Sequence, residues 1–241
     1  MIKKIFLLST VFFQVFCFSQ NWTGEELINK SIKYHDPNNN WETFSGELNI
    51  TTETPTKAPR VSSIFIDIPK EYFKNEYRMD SNIIKQEIRN DSCKVSFNGS
   101  FDFSEEEENK YRLSCYQTKR TRDYYTYLYG LPMKLKDQGT IVESKTEKRT
   151  FKGKGYLVVQ VSYEKEVGKD IWYFYLDPVS YALEVYQFFH DESKNDGEYI
   201  LLTKELLVNG IKMPKNRAWY YNEKDKYLGT DFLFKTNPNK L

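Results

Sequence analysis

The residues from Gly168 to Tyr221 constrain the fold of this chain more than any other stretch. They begin GKDIWYFYLDPVSYALEVYQFFHDESKNDGEYILL and close with LVNGIKMPKNRAWYY. As backbone this reads as a strand, a tight turn at Asp177-Pro178, a second strand, a polar loop, a third strand, an Asn209-Gly210 turn and a fourth strand. Asn-Gly between apolar runs is a strong hairpin signal, because both residues accept the positive φ of a type I′ turn. The first strand is apolar on both parities, with Ile171, Tyr173 and Tyr175 on one side and Trp172, Phe174 and Leu176 on the other. Such a strand needs cover on both faces, or a concave face reserved for an apolar ligand.

The chain opens MIKKIFLLSTVFFQVFCFSQ. Two lysines, an apolar run from Ile5 to Phe18 and small residues at Cys17 and Ser19 make the grammar of a secretory signal, too short for a membrane span. The expected signal peptide is residues 1–19, cut after Ser19 to leave Gln20 first, with residues 20–241 as one β domain. A lipid anchor at Cys17 is disfavoured because bulky Phe16 precedes it. The implied location is the periplasm or the exterior. Loss of Lys3 and Lys4 turns 35 bases against 34 acids into 33 against 34. That neutrality argues against nucleic acid, which needs a basic face to displace phosphate counterions. Cys93 and Cys115 are left in an oxidising compartment, where an even count reads as a disulfide. Such a bridge would stabilise by ~3 kcal/mol, and two buried thiols are the alternative.

Thr23 with Glu26 forms a capping box, and Leu27, Ile28, Ile32 and Tyr34 carry a helix to His35 before HDPNNN stops it. Clean alternation from Phe44 to Ile50 predicts a half-buried strand, and Ile64, Ile66 and Ile68 predict the next, ended by Pro69. Glu71–Met79 is polar-aromatic and fits neither strand nor loop clearly. Strands follow at Ile83–Ile88 and Cys93–Phe97, turning near Asn90-Asp91 and Asn98-Gly99. Ser104 and four glutamates open a helical insertion, broken near Thr118 and ending at Gly130. GLPMKLKDQG after it is irregular. Strands at Ile141–Ser144, Thr146–Lys152 and Tyr156–Tyr163 lead into the organising stretch, and Leu228–Phe234 is the last. The fold class is therefore mainly β (α+β). About ten antiparallel strands form a single curved sheet or incomplete β-barrel, with an N-terminal helix and a central helical insertion.

The strand end WYFYLDP and the late hairpin VNGIKMP, on a helix-led meander with a central insertion, resemble the periplasmic lipoprotein carriers (LolA/LolB-like). The resemblance implies a curved sheet whose apolar concave face is plugged by helices. RDYYTYLYGLPMKLKDQGT, VGKDIWYFYLDP, FFHDESKNDGEYILL and NGIKMPKNRAWYYN are similar to an uncharacterised family of exported bacterial proteins, which brings no activity with it. Shared fold does not carry function, so no functional residue is transferred from the carriers.

The only two histidines sit in His-Asp pairs, His35-Asp36 and His190-Asp191. If the two meet in space they would hold zinc or another divalent cation and support a metal-dependent hydrolase; alone, each pair caps backbone groups. No G-x-S-x-G, H-E-x-x-H, phosphate loop or dinucleotide fingerprint is present. Aromatic residues reach 17%, including 19 tyrosines. Tyr124, Tyr125, Tyr127 and Tyr129, with Leu131, Pro132 and Met133, form either a lid over the sheet or a plug that fills its core. Trp172 and Phe174 share the strand face such a lid would cover. The expected ligand-binding residues are therefore Tyr124, Tyr125, Leu131, Met133, Trp172 and Phe174, and the expected ligand is a lipid, an acyl chain or a lipidated peptide. A hydrophobic small molecule or lipidated protein is the expected partner of a monomer, with peripheral membrane contact. A purely structural envelope protein is the remaining alternative.

Overall fold

The structure, a computed structural model, describes residues 22–235. The expected signal peptide and the cut after Ser19 lie outside them. Among the described residues no helix is long and apolar enough to cross a membrane. Helix α1 (Gly24–His35) is followed by strands β1 (Ser45–Thr54), β2 (Lys57–Asp67), β3 (Tyr72–Met79), β4 (Asn82–Arg89) and β5 (Ser92–Phe97). Helices α2 (Glu105–Tyr111) and α3 (Cys115–Gly130) and a 3-10 turn (Met133–Lys136) make the insertion. The chain then returns through β6 (Thr140–Phe151), β7 (Lys154–Tyr163), β8 (Ile171–Leu176), β9 (Leu183–Phe189), β10 (Glu198–Val208), β11 (Ile211–Tyr221) and β12 (Tyr227–Phe234).

All twelve strands form one sheet in the order β5-β4-β3-β2-β1-β12-β11-β10-β9-β8-β7-β6. Two meanders run outward from a central seam where β1 pairs antiparallel with β12, Ile50 opposite Leu233. The insertion leaves from one edge strand, β5, and returns to the other, β6, so it must cross the sheet. Neighbouring strands rotate by roughly 20–25°. Twelve of them cannot stay flat, and the sheet curves without closing.

The hairpin signals hold. Asn209 and Gly210 have φ of 46° and 84°, and Val208 pairs with Ile211 across them. Asn98 and Gly99 repeat the pattern at 52° and 85°. Three expectations need correction. The two strands expected from Ile141 to Lys152 are one, β6, whose register shifts between Val142 and Thr146; the bulge looks like a break in sequence. The insertion breaks not at Thr118 but at Arg112, which sits in the left-handed region at φ 57°, and Ser114 caps the new helix by accepting from Gln117 N at 3.2 Å. Glu71–Met79, unreadable in sequence, contains β3.

The doubly apolar β8 is covered on both faces. Inward, Phe174 and Leu176 join the main core with Leu27 and Ile28 of α1, Leu48, Ile64, Phe73, Ile200 and Leu233 of the sheet, and Tyr125, Leu128 and Tyr129 of α3. Outward, Tyr173 and Tyr175 cluster with Tyr156, Val158 and Val185. Among the described residues no α-helix contributes to that cluster. Long cationic side chains do the covering: Arg149 stands 4.1 Å over the Tyr173 ring and Lys152 5.0 Å over Tyr199.

Candidate functional site

A cavity of about 1050 Å³ lies between α3 and the inner face of the sheet. Its apolar lining comes from Ile66 and Phe73 on β2 and β3, Tyr127 and Leu128 on α3, and Trp172, Phe188 and Trp219 on β8, β9 and β11. Each strand residue points inward because it shares parity with a core residue: Trp172 with Phe174, Phe188 with Tyr186. On α3, Arg120, Tyr124, Tyr127 and Leu128 recur at helical spacing and so share the face turned to the cavity. The next positions round, Tyr125 and Tyr129, are buried in the core. One helix thus both plugs the sheet and roofs a space within it.

Two aromatic contacts frame that space. Tyr124 stacks on Trp219 with centroids 6.2 Å apart, and the Tyr127 and Tyr163 hydroxyls share a short hydrogen bond. Burial pushes Tyr163 up to about 12, so both phenols stay neutral at ordinary pH. At one mouth His190 Nδ1 lies 2.6 Å from Asp170 Oδ1. That hydrogen bond raises the imidazole pKa. Burial raises the carboxyl of Glu198, which also lines the cavity.

Of the six expected ligand residues, the structure places Tyr124 and Trp172 on the cavity wall. Phe174 and Leu131 are buried in the core, and Met133 packs half-buried against it. Tyr125 lies under α3, facing a second, smaller cavity. The wall also includes Tyr127, Leu128, Ile66, Phe73, Phe188 and Trp219, which the sequence reading did not single out as ligand residues. The helical spacing of Arg120, Tyr124, Tyr127 and Leu128 was the available signal.

The shared ion site expected of the two His-Asp pairs does not form. His35 is buried, with Nδ1 2.7 Å from Lys212 O and Nε2 accepting from Leu183 N at 3.0 Å. Both ring nitrogens are used, leaving no lone pair for a metal. Asp36 accepts from Asn40 N and Trp41 N, each at 2.8 Å, and so ties down the turn after α1. Asp191 accepts from Ser193 N and Oγ at the start of a short 3-10 turn. His35, at the end of α1, is hydrogen-bonded to Leu183, the first residue of β9, and His190 follows Phe189, its last. The length of that strand, at roughly 3.3 Å per residue, keeps the rings about 20 Å apart. Among the described residues no three His, Cys, Asp or Glu side chains are grouped to hold a metal ion.

The disulfide is present. Cys93 on β5 is joined to Cys115, the first residue of α3, with Cα atoms 5.9 Å apart. It fastens the start of the roofing helix to the sheet edge. Deeper in, Arg217 is fully buried, donates to Leu128 O at 3.0 Å and lies 3.8 Å over the Tyr129 ring, tying the last turn of α3 to β11.

Fold and site together define an open, curved antiparallel sheet with an apolar cavity roofed by a disulfide-anchored helical insertion. The family of unknown function DUF6503 matches residues 3–236, and the chain belongs to that family. No curated protein matches the sequence. Among solved structures, a LolA superfamily protein from Nitrosomonas europaea is similar at TM-score 0.49 and 9% identity, over 90% of this chain and 96% of that one. A putative outer membrane lipoprotein-sorting protein domain from Vibrio parahaemolyticus is similar at 0.47 and 9%, over 87% and 89%. A DUF1329 family protein from Desulfovibrio piger is similar at 0.47 and 5%, over 88% and 92%.

Proposed function

We propose that this protein binds the apolar chain of an amphiphile, such as a lipid, an acyl chain or a lipidated peptide, in the cavity beneath α3, and that it does so in the cell envelope. The observation that carries the reading is the cavity itself. Its volume of about 1050 Å³ stands at the upper end of the ~300–1,000 Å³ usual for small-molecule sites. Its walls combine aromatic and aliphatic side chains with charged ones, a lining that suits a ligand with both an apolar chain and a polar head group. The disulfide fits an oxidising compartment.

Trp172 and Trp219 line the cavity and report its occupancy by fluorescence. Dodecanol is expected to bind at micromolar concentration and to shift that emission. Trp172→Ala should weaken binding by about tenfold or more, since it removes a large apolar contact from the wall. Phe174→Ala, on the same strand but in the core, should instead lower stability by ~3–5 kcal/mol. No dodecanol binding by a folded wild-type protein would leave the structural-protein reading in place.

A further inference from the structure

Beside the apolar cavity lies a second one of about 490 Å³, between α3 and strands β2 to β4. The two share Arg120 and Tyr124. Their charges differ. The walls of the large cavity carry seven carboxylates, among them Glu71, Asp91 and Glu198, against Arg120, Arg122 and Lys134. The small cavity is lined by Arg60, Arg112 and Arg120 and by no carboxylate at all. Among the described residues none of these three arginines makes an ion pair. Elsewhere in a chain with 34 acids and 35 bases such pairs are common.

The floor of the small cavity is polar and buried. Asn75 and Gln86 face each other across β3 and β4, both about 97% buried, with Asn75 Nδ2 donating to Gln86 Oε1 at 3.0 Å. Asn75 Oδ1 has no partner. An unpaired buried amide oxygen costs ~1–3 kcal/mol, and this one belongs to a residue of the cavity wall. Swapping the two amides end for end keeps their bond and presents an N–H donor instead. Arg112 reaches the site from a left-handed backbone, φ 57° and ψ 50°, where an arginine is disfavoured by roughly 1–2 kcal/mol. That conformation is the C-cap of α2, where the Arg112 N–H bonds Glu108 O, and it sets the side chain beside Arg60 and Arg120.

We infer that the arginine-lined cavity binds the phosphate group of an amphiphile whose apolar chain occupies the adjoining cavity. Guanidinium forks match phosphate oxygens in pairs. A phosphate monoester carries about −1.5 to −2 at neutral pH, which three unpaired cations accommodate better than a single carboxylate. The acidic walls of the large cavity repel an anion, so the head group is driven to the arginine end and the chain is oriented. This rests on the chain-binding reading above for the apolar half only.

Three probes separate the two halves by calorimetry at low salt: dodecyl phosphate, dodecanol and inorganic phosphate. Dodecyl phosphate should bind at least tenfold tighter than dodecanol. Arg60→Gln and Arg112→Gln, at residues that line the small cavity but not the large one, should each remove most of that advantage, about tenfold per arginine, while dodecanol binding changes little. The arginines are solvent-exposed, so both variants should melt within a degree or two of wild type; Arg120→Gln, whose side chain lines both cavities, should weaken dodecyl phosphate as well. Equal binding of dodecyl phosphate and dodecanol would overturn the phosphate site and spare the chain site. Arginine-dependent binding of inorganic phosphate without dodecanol binding would do the reverse. Inorganic phosphate binding as tightly as dodecyl phosphate would overturn the amphiphile assignment and leave a site for free phosphate.

Discussion

His35 is buried with both ring nitrogens hydrogen-bonded, and its chemistry is that of a rivet. It bridges Lys212 on β11 to Leu183 on β9 from the end of α1, using one nitrogen as donor and the other as acceptor. Burial lowers its pKa, because the charged ring would lose both water and its acceptor role. In the unfolded chain it takes a proton near pH 6.5; in the folded chain it does so only at lower pH. Its stabilising contribution is therefore complete above about pH 6.5 and is lost as pH falls below that value, by up to ~1.4 kcal/mol per pH unit. His190 acts in the opposite sense. Its folded pKa is raised by Asp170, so its contribution is present below the unfolded value and fades as pH rises through the folded one. Exposure keeps it small. Urea midpoints should thus fall from pH 7.5 to 5.5 more steeply in wild type than in His35→Gln, which should be less stable but flatter. Parallel curves would mean that folding does not lower the His35 pKa and would overturn this account.

At the scale of elements, legibility tracked how purely each element obeyed its period. β8, the Asn-Gly hairpins and α1 were plain because their apolar spacing and turn chemistry agree. β3 was not. Its inward positions are Phe73, Asn75 and Tyr77, and the buried Asn75 breaks the alternation that marks a half-buried strand. That exception is the floor of the arginine-lined cavity, so the sequence was least readable where it departs from pure folding needs. The insertion carried its own missed signal, Ser114 with Gln117 three positions on, the grammar of a second helix start. The cavity was not legible at all, because volume between elements depends on how a curved sheet and a helix fail to fill space. One element-level prediction follows from the anchor at Cys93–Cys115. Replacing both cysteines with alanine should cost ~3 kcal/mol, and hydrogen exchange should speed up over α2 and the first turns of α3. The C-terminal half of α3, held by Arg217 and the core, should change far less. Uniform loss of protection across α3 would count against two separate anchors.

Among the described residues the molecule is one open sheet with β5 and β6 as its edge strands, and it guards them differently. β5 is short and bridged to α3. β6 is twelve residues long, exposed over much of its length, and reads TIVESKTEKRTF. Alternating charges and a bulge at Val142–Thr146 discourage pairing with a second chain. Lys145→Val with Lys148→Val should strip that protection. Light scattering after size exclusion should then show dimers or larger species rising with protein concentration while wild type stays constant. Unchanged mass at all concentrations would show that the bulge alone suffices.

The seam between β1 and β12 has a consequence for how the molecule is made. A ribosome releases β1 among the first elements and β12 last, yet each is the other's only neighbour on one side. Throughout synthesis the first meander carries a bare edge in what becomes the centre of the sheet, and its core, including Leu48 and Ile50, stays half covered. Residues Tyr227–Phe234 are therefore the clasp of the fold. A chain that has not yet placed them holds an unfinished sheet with an exposed apolar edge, so closure of this non-local seam is expected to be the late step of folding.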